Sequence, residues 1–329
     1  MKRIFSGIQP SGRLHLGNYL GAIKNWLPLQ EEYECIWGIV DYHAITVPFA
    51  PENLEKRVID CAATYLACGL DPKKSHLMIQ SQVKEHTELA WILNTITPIS
   101  WLERVPTFKD KSRHFKDSIN MGLLDYPVLM AADVLLYKAS AVPVGEDQLP
   151  HLELAREIVR RFNHIFGDTF PEPKEIIRPG SLIKGLDGNN KMSKSLDNCI
   201  YLDESADSIR KKLATAVTDP QRVRKSDPGN PDVCNLYSLH KLFSSSEEIE
   251  YVNKGCRKAE IGCVECKRIL AKNINEELQP IRERINELKS DTDYIKDVLR
   301  AGVKISREIA KDTIDEVYTR IGTGYNLLK

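Results

Sequence analysis

Cys35-Ile36-Trp37-Gly38-Ile39-Val40 is an unbroken apolar run ended by Asp41. It is too short for a buried helix and lacks the alternation of a half-exposed strand, so it reads as a strand covered on both faces. Ile4-Phe5, closed by Gly7, and Ser75-His76-Leu77-Met78-Ile79-Gln80 are two further strand segments. Between them the apolar period becomes helical. Leu20, Ile23 and Leu27 repeat on one face, as do Leu54, Val58, Cys61, Ala62 and Tyr65, with Gly69 placed as a stop. Strands that are apolar throughout and alternate with helices specify an α/β fold with a doubly wound parallel sheet. Past Ser195 strand-like runs become scarce, while Ile274, Leu278, Ile281, Ile285 and Leu288 keep the stripe of a helix packed on a neighbour. A chain of 329 residues suggests about two domains. The Gly/Asn-rich stretch from Gly185 to Asn190, expected to be mobile, sets them at 1–186, doubly wound α/β, and 187–329, smaller and all-helical.

Lys+Arg and Asp+Glu both number 46, so any contact with nucleic acid must come from local patches rather than a global field. Only Lys2 and Arg3 precede Ile4-Phe5, and Ser6, Gly7 and Pro10 then interrupt the run, which is too short for a signal-peptide core. The most apolar stretch, 128–144, carries Asp133 and Lys138 and is a poor membrane span. A cytoplasmic protein with no membrane partner is expected, its 8 cysteines reduced or metal-bound.

Gly7 to Asn18 leads from the first strand into the first helix, at the sheet edge where open α/β folds bind ligands. Gly7, Gly12 and Gly17 permit close backbone approach, and a helix starting near Gly17 directs free N–H groups at an anion. Taken alone, this is equally a glycine-rich turn with a solvated histidine. Lys191-Met192-Ser193-Lys194-Ser195 adds two lysines on a loop, the cations that phosphoryl chemistry needs as charge develops, or else a plain solvated surface loop. Val144-Gly145-Glu146-Asp147-Gln148 is a third strand-to-helix passage, followed by a helical pattern from His151 to Arg161.

Together, Pro10-Ser11-Gly12-Arg13-Leu14-His15-Leu16-Gly17-Asn18 and Lys191 to Ser195 resemble the two ATP signatures of class I aminoacyl-tRNA synthetases, and Gly145-Glu146-Asp147-Gln148 resembles the tryptophan branch, bacterial type. Asn18 stands where the generic signature has His; it still donates a hydrogen bond but carries no charge, and Asn is usual in that branch. The resemblance covers nearly the whole chain. It implies a Rossmann-like catalytic domain and a helical anticodon-binding domain. It also implies ATP with Mg²⁺, activation of L-tryptophan to tryptophanyl-adenylate, transfer to tRNA(Trp) with release of AMP and diphosphate, and a homodimer. By the same resemblance His15, Asn18, Lys191 and Lys194 carry the chemistry. Gln9, Pro10, Ser11, Gly17, Lys111, Gly145, Glu146, Asp147, Leu182, Met192, Ser193 and Ser195 complete the ATP site. For Lys111, within the basic stretch Lys109 to Lys116, a solvated charged loop is the alternative.

Asp133 sits in the apolar helical segment from Tyr126 to Leu136. A carboxylate there costs several kcal/mol unless donors meet it, so it either turns to solvent, caps a helix, or is paired. The resemblance makes it the acceptor of the indole N–H, with Met130 packing the ring and Phe5, His43, Tyr126 and Gln148 around the pocket. Phe5, His43 and Tyr126 are equally plausible as core residues. A buried acceptor built for one N–H rejects analogues lacking it by roughly 10⁴ in favourable cases.

Cys234, Cys256, Cys263 and Cys266 have 21, 6 and 2 residues between successive members. The tight Cys263–Cys266 pair is a common metal-binding element, and the set resembles a 4Fe-4S site of some tryptophanyl-tRNA synthetases, with a first gap one residue shorter. Free buried thiols and zinc are the alternatives. Rival readings of the whole chain are a tyrosyl-tRNA synthetase, a nucleotidyltransferase with a similar phosphate loop, and a tRNA-binding paralogue without catalysis. Asp133 with Gly145 to Gln148, the Lys191 to Ser195 loop, and its two intact lysines speak against these in turn.

Overall fold

A computed structural model describes residues 2–105, 119–177 and 183–325. Five strands, β1 (Arg3–Ile8), β2 (Glu34–Ile39), β3 (Ser75–Ile79), β4 (Ala141–Pro143) and β5 (Lys174–Ile176), form one sheet in the order β3-β2-β1-β4-β5. Every pairing is parallel. The order reverses direction at β1, so the sheet is doubly wound, as the apolar strands require. The first three strands coincide with the runs read from sequence. The last two have only three residues each and carried no such run.

The main helices are α1 (16–26), with a π turn at Tyr19–Ile23, α2 (Leu54–Ala67), α3 (Glu85–Asn94), α4 (Met121–Leu135), α5 (Leu149–Phe166), α6 (Ala206–Thr215), α7 (Asn235–Phe243), α8 (Ser246–Arg257), α9 (Cys263–Ser290) and α10 (Thr292–Ile321). The stripe read at Ile274, Leu278, Ile281, Ile285 and Leu288 is the buried face of α9. Gly69 follows α2 with φ +105, a left-handed stop that glycine adopts without strain. Among the described residues no helix is long and apolar enough to cross a membrane.

The chain divides into two compact units, Met1–Gly12 with Asn25–Pro179 and Asp291–Lys329, and Arg13–Lys24 with Gly180–Ser290. The division near residue 180 lies close to the expected boundary at 186/187, but two segments leave chain order. Arg13–Lys24 joins the helical unit. There Leu16 N–H donates to the Ile200 carbonyl (2.9 Å) and Leu202 N–H to the Leu14 carbonyl (3.0 Å). Tyr19 Oη (2.9 Å) and Lys24 Nζ (2.8 Å) both donate to Glu277 Oε1. α10 joins the sheet unit instead. Its Val303, Ala310, Ile314 and Val317 share a core with Phe5, Ile36 and Met78, and Gly302 lies so close to β3 that a Cβ would meet the Leu77 carbonyl oxygen at 2.0 Å.

Candidate active site

In the sheet unit, Gly7 to Ser11, Asp41–Ala44, Gln80–Gln82 and Val144 to Gln148 leave the carboxyl ends of β1, β2, β3 and β4. Asp133 reaches the same region from α4 and is 2% exposed. Its partners answer the question that a carboxylate in an apolar helix raises. His43 Nε2 lies 2.9 Å from Oδ2. Gln80 Nε2 donates to both oxygens, at 2.7 and 2.9 Å. His86 Nδ1 lies 2.7 Å from Oδ1, too oblique for a full hydrogen bond.

Burial on its own pushes the Asp133 carboxyl up; His86 beside it and the hydrogen bond from His43 more than reverse this and hold it at about 2. The group is therefore a carboxylate at neutral pH. Two carboxylate oxygens offer about four acceptor positions. The hydrogen bonds from His43 and from the amide shared by Gln80, with the oblique contact of His86 beside them, leave room for a further donor.

The partners are themselves fixed. Gln80 Oε1 accepts from Tyr42 N–H (3.0 Å), which orients the amide. Thr46 Oγ1 donates to the His43 carbonyl (2.9 Å), and Asn120, the N-cap of α4, donates through Nδ2 to the Thr46 carbonyl (3.2 Å). The cap thus ties the helix that carries Asp133 to the loop that carries His43. Tyr126, Met130 and Asp133 follow one another at steps of four and three, one face of α4. Tyr126 meets the His43 ring edge-on at 6.2 Å, and its Oη lies 3.3 Å from His151 Nε2. Phe5 stacks on Tyr137 at 5.4 Å. Gln148 donates to Asp147 Oδ2 (3.0 Å) rather than joining the Asp133 cluster.

The helical unit holds the other constellation. His15 is the N-cap of α1: its Nδ1 accepts from Gly17 N–H (3.1 Å), so the proton of the neutral ring sits on Nε2. Asn18 Oδ1 accepts from His15 N–H (3.1 Å), which leaves its NH₂ as the donating end. One amide thus caps the helix and presents a donor. Burial, then Lys194, then Lys191 lower the His15 ring to about 4, so it is a neutral donor at physiological pH. The two signatures, more than 170 residues apart in sequence, meet here: a Cβ on Gly17 would lie 3.0 Å from the His15 ring and 3.4 Å from Met192 Cβ.

The lysine loop is stapled at its base. Asn198 Oδ1 accepts from Ser193 N–H (2.7 Å), while its Nδ2 donates to Asp187 Oδ2 (3.0 Å) and to the Lys191 carbonyl (3.3 Å). Asp187 also accepts from Asn189 and Asn190, and these bonds hold its carboxyl at about 2. The stretch read as mobile is thus a hydrogen-bonded turn. Met192 is buried, while Lys191 and Ser195 are exposed. Ser193 and Ser195 hydroxyls lie 2.9 Å apart.

Of the remaining sequence-predicted ATP residues, Pro10 is buried, Gln9 and Gly145 are half-buried, and Ser11, Glu146 and Asp147 are exposed. Lys111 and Leu182 lie outside the described residues. Gln80, His86, Asp187 and Asn198 were missed by the sequence reading.

The four late cysteines are half-buried neighbours in the helical unit. Burial, followed by the charges of Cys234, Cys263 and Cys256, pushes the Cys266 thiol up to about 12. Arg222 Nη1 donates to Cys256 Sγ (3.4 Å), and His240 Nε2 lies 3.3 Å from Cys266 Sγ. Gly229 packs closely on Cys256, where a Cβ would meet the sulfur at 2.5 Å. Among the described residues no three His, Cys, Asp or Glu side chains are grouped closely enough to hold a single metal ion.

The family described as class I tRNA synthetases (W and Y) matches residues 1–279. A tryptophan-tRNA ligase of Deinococcus radiodurans is 50% identical over 327 residues, covering 98% of this chain and 99% of its own length. One of Thermotoga maritima is 47% identical over 320 residues, covering 96% and 97%. The crystal structure of Campylobacter jejuni tryptophanyl-tRNA synthetase complexed with ADP and tryptophan matches with a TM-score of 0.86 at 37% identity, covering 97% of this chain and 99% of that one. A tyrosyl-tRNA synthetase of Archaeoglobus fulgidus shares the fold, with a TM-score of 0.69 at 21% identity. With its two signatures assembled and a carboxylate sunk in its sheet unit, the chain belongs to the bacterial tryptophanyl-tRNA synthetases of class I.

Proposed function

We propose that this chain activates L-tryptophan with ATP and Mg²⁺ and passes it to tRNA(Trp). The substrate carboxylate attacks the α-phosphorus of ATP, the bond to the β-phosphate bridging oxygen breaks, and tryptophanyl-adenylate and diphosphate form. A hydroxyl of the tRNA's terminal adenosine then attacks the acyl carbon, and AMP leaves. No side chain acts as a covalent nucleophile. His15 Nε2–H and the Asn18 amide donate to phosphate oxygens, and Lys191 and Lys194 meet the negative charge that develops on the departing diphosphate. Such contacts act by being stronger in the transition state than before it.

The observation that carries the reading is the ionised, fully oriented Asp133, with an acceptor position to spare in an apolar surround. It accepts the indole N–H, with Met130, Phe5, His43 and Tyr126 around the ring. Diphosphate exchange with tryptophan, tyrosine and phenylalanine tests this. Tryptophan should support exchange and the other two should be at least about 10⁴-fold poorer in kcat/KM; exchange with tyrosine at a similar level would contradict it.

The helical unit reads the tRNA anticodon, and the protein works as a homodimer. Trp91, Ile99 and Met121, 73%, 64% and 73% exposed in the sheet unit, supply apolar surface for pairing. Substituting all three with Ser should shift the mass in sedimentation from dimer to monomer; an unchanged dimer would place the interface elsewhere.

Cys234, Cys256, Cys263 and Cys266 are the residues to hold a 4Fe-4S cluster. The all-thiol donor set and the arginine beside Cys256 fit an anionic group. The cluster would brace the start of α9 against α7 and α8. Anaerobically purified protein should be brown and contain iron and sulfide; colourless protein, or zinc in their place, removes the cluster and leaves the synthetase reading intact.

A further inference from the structure

Two buried groups behind Asp133 have no part in the chemistry above. His86 on α3 and Tyr137, just past α4, are both fully inaccessible, and a core built for packing alone would not place a phenol, an imidazole and a carboxylate in line. Tyr137 Oη lies 2.8 Å from His86 Nε2. On the far side of the ring, Nδ1 lies 2.7 Å from Asp133 Oδ1. Only one of the two ring nitrogens of a neutral histidine carries hydrogen. Tyr137 is held in place by its stack on Phe5 and faces the Ser306 hydroxyl of α10.

We infer that Tyr137 and His86 form a positioning relay for tryptophan selection: the phenol O–H donates to His86 Nε2, which leaves the ring hydrogen on Nδ1, and this polarised N–H, 2.7 Å from Oδ1 though off the line of a full hydrogen bond, holds Asp133 in place for the indole N–H. The relay deepens the reading of Asp133 as indole acceptor and rests on it. Neither residue touches the substrate. Burial and then the Asp133 charge raise the Tyr137 phenol well above its ordinary range, so it remains a donor at any working pH.

The groups that face this cluster are known from each packed element: His43 after β2, Gln80 after β3, Glu85 beside His86 on α3, Tyr126 and Tyr137 from α4 and its end, His151 on α5 and Ser306 on α10. Of these Gln80 donates to both Asp133 oxygens, and His86 and His43 are the neighbours that lower its carboxyl. With His86 in place Asp133 stays ionised far below neutral pH. Without it, burial is left opposed chiefly by His43, the carboxyl rises, and tryptophan binding weakens as pH falls through the new value.

The test is diphosphate exchange from pH 6 to 8.5 by wild type, His86→Leu, His86→Asn and Tyr137→Phe. Tryptophan is compared with 3-benzothienylalanine, in which sulfur replaces the indole N–H. Wild type should show a flat KM for tryptophan as far as Asp133 is concerned. His86→Leu should raise that KM about tenfold at pH 7.5, the weight of one polar contact to a buried charge, and further towards pH 6, with kcat held within about twofold. The KM for benzothienylalanine should hardly move, so the preference for tryptophan falls. His86→Asn, whose amide can replace the Nδ1–H, should recover much of the loss. Tyr137→Phe, which removes one oxygen, should lower the preference about threefold, and it decides the matter alone if the Leu variant does not fold.

Equal rises in KM for both amino acids, or variants that keep the wild-type preference and pH profile, overturn the relay while wild-type tryptophan activation keeps the underlying reading. A wild type that never activates tryptophan overturns both.

Discussion

The Asp133 cluster and the lysine loop solve opposite electrostatic problems. Asp133 is a charge taken out of water and met by fixed groups: His43 and Gln80 donate to it, His86 lies beside it, and Asn120 and Thr46 tie α4 to the loop that carries His43. Lys191 is an exposed charge on a loop whose backbone is pinned through Asn198 and Asp187. The first arrangement suits selection, because a rigid buried acceptor penalises any ligand that leaves it unpaired. The second suits rate, because a solvated ammonium on a stapled base can follow charge as it moves. Selection and rate are therefore written into different surroundings, and changes to one region should leave the other's parameter alone.

The contrast is sharpest at Lys194. Lys194→Ala should lower kcat for adenylate formation by about 10³, the scale of a lost transition-state contact, with the KM for tryptophan within about twofold. A KM that rises as much as kcat falls would put the lysine in ground-state binding and break the contrast. Next in size, Asp133→Asn should lower kcat/KM for tryptophan by about 10², since it leaves the buried donors of His43 and Gln80 facing an amide. A loss under tenfold, about 1.4 kcal/mol, would remove Asp133 from selection. Asn198→Ala frees Ser193 N–H and the Lys191 carbonyl and should cost about tenfold in kcat with no change in amino-acid KM; an unchanged kcat would mean the staple is irrelevant.

The smallest effect concerns His15. Its ring is lowered to about 4 mainly by burial and secondarily by Lys194 and Lys191. The neutral form is therefore fully present above about pH 5.5, and the ring contributes no slope to rates between pH 6 and 8. Removing Lys194 should raise its NMR titration midpoint, still short of the ordinary 6.5 because burial is the larger cause. A midpoint near 6.5 in the intact protein would show that His15 is exposed and charged under acid conditions.

Much of this was readable beforehand where local pattern dictates structure. Cys35 to Val40 could be little other than a two-face-buried strand, and Ile274 to Leu288 little other than a helix stripe. β5 escaped because three residues carry no period, and β4 was read only as the strand that must end before Gly145, since Pro143 argues against a strand until it is seen at the end of one. That Asp133 needed partners followed from its apolar setting, but which partners did not: Gln80 and His86 stand 53 and 47 residues away, and neither has a sequence signature. The same holds for Asn198, an unremarked residue after the lysine loop. Motifs found the groups proposed to meet substrate, while the groups that hold them came only with the fold. The placement of α10 with the sheet, too, depended on a close approach at Gly302 that no stripe announces.

Saturation curves for diphosphate exchange, with tryptophan varied, on wild type, Asp133→Asn and Lys194→Ala test the division between selection and rate most directly. The expected result is a crossed pattern: Asp133→Asn moves the KM for tryptophan far more than kcat, and Lys194→Ala moves kcat with KM in place. Both variants shifting the same parameter would contradict it.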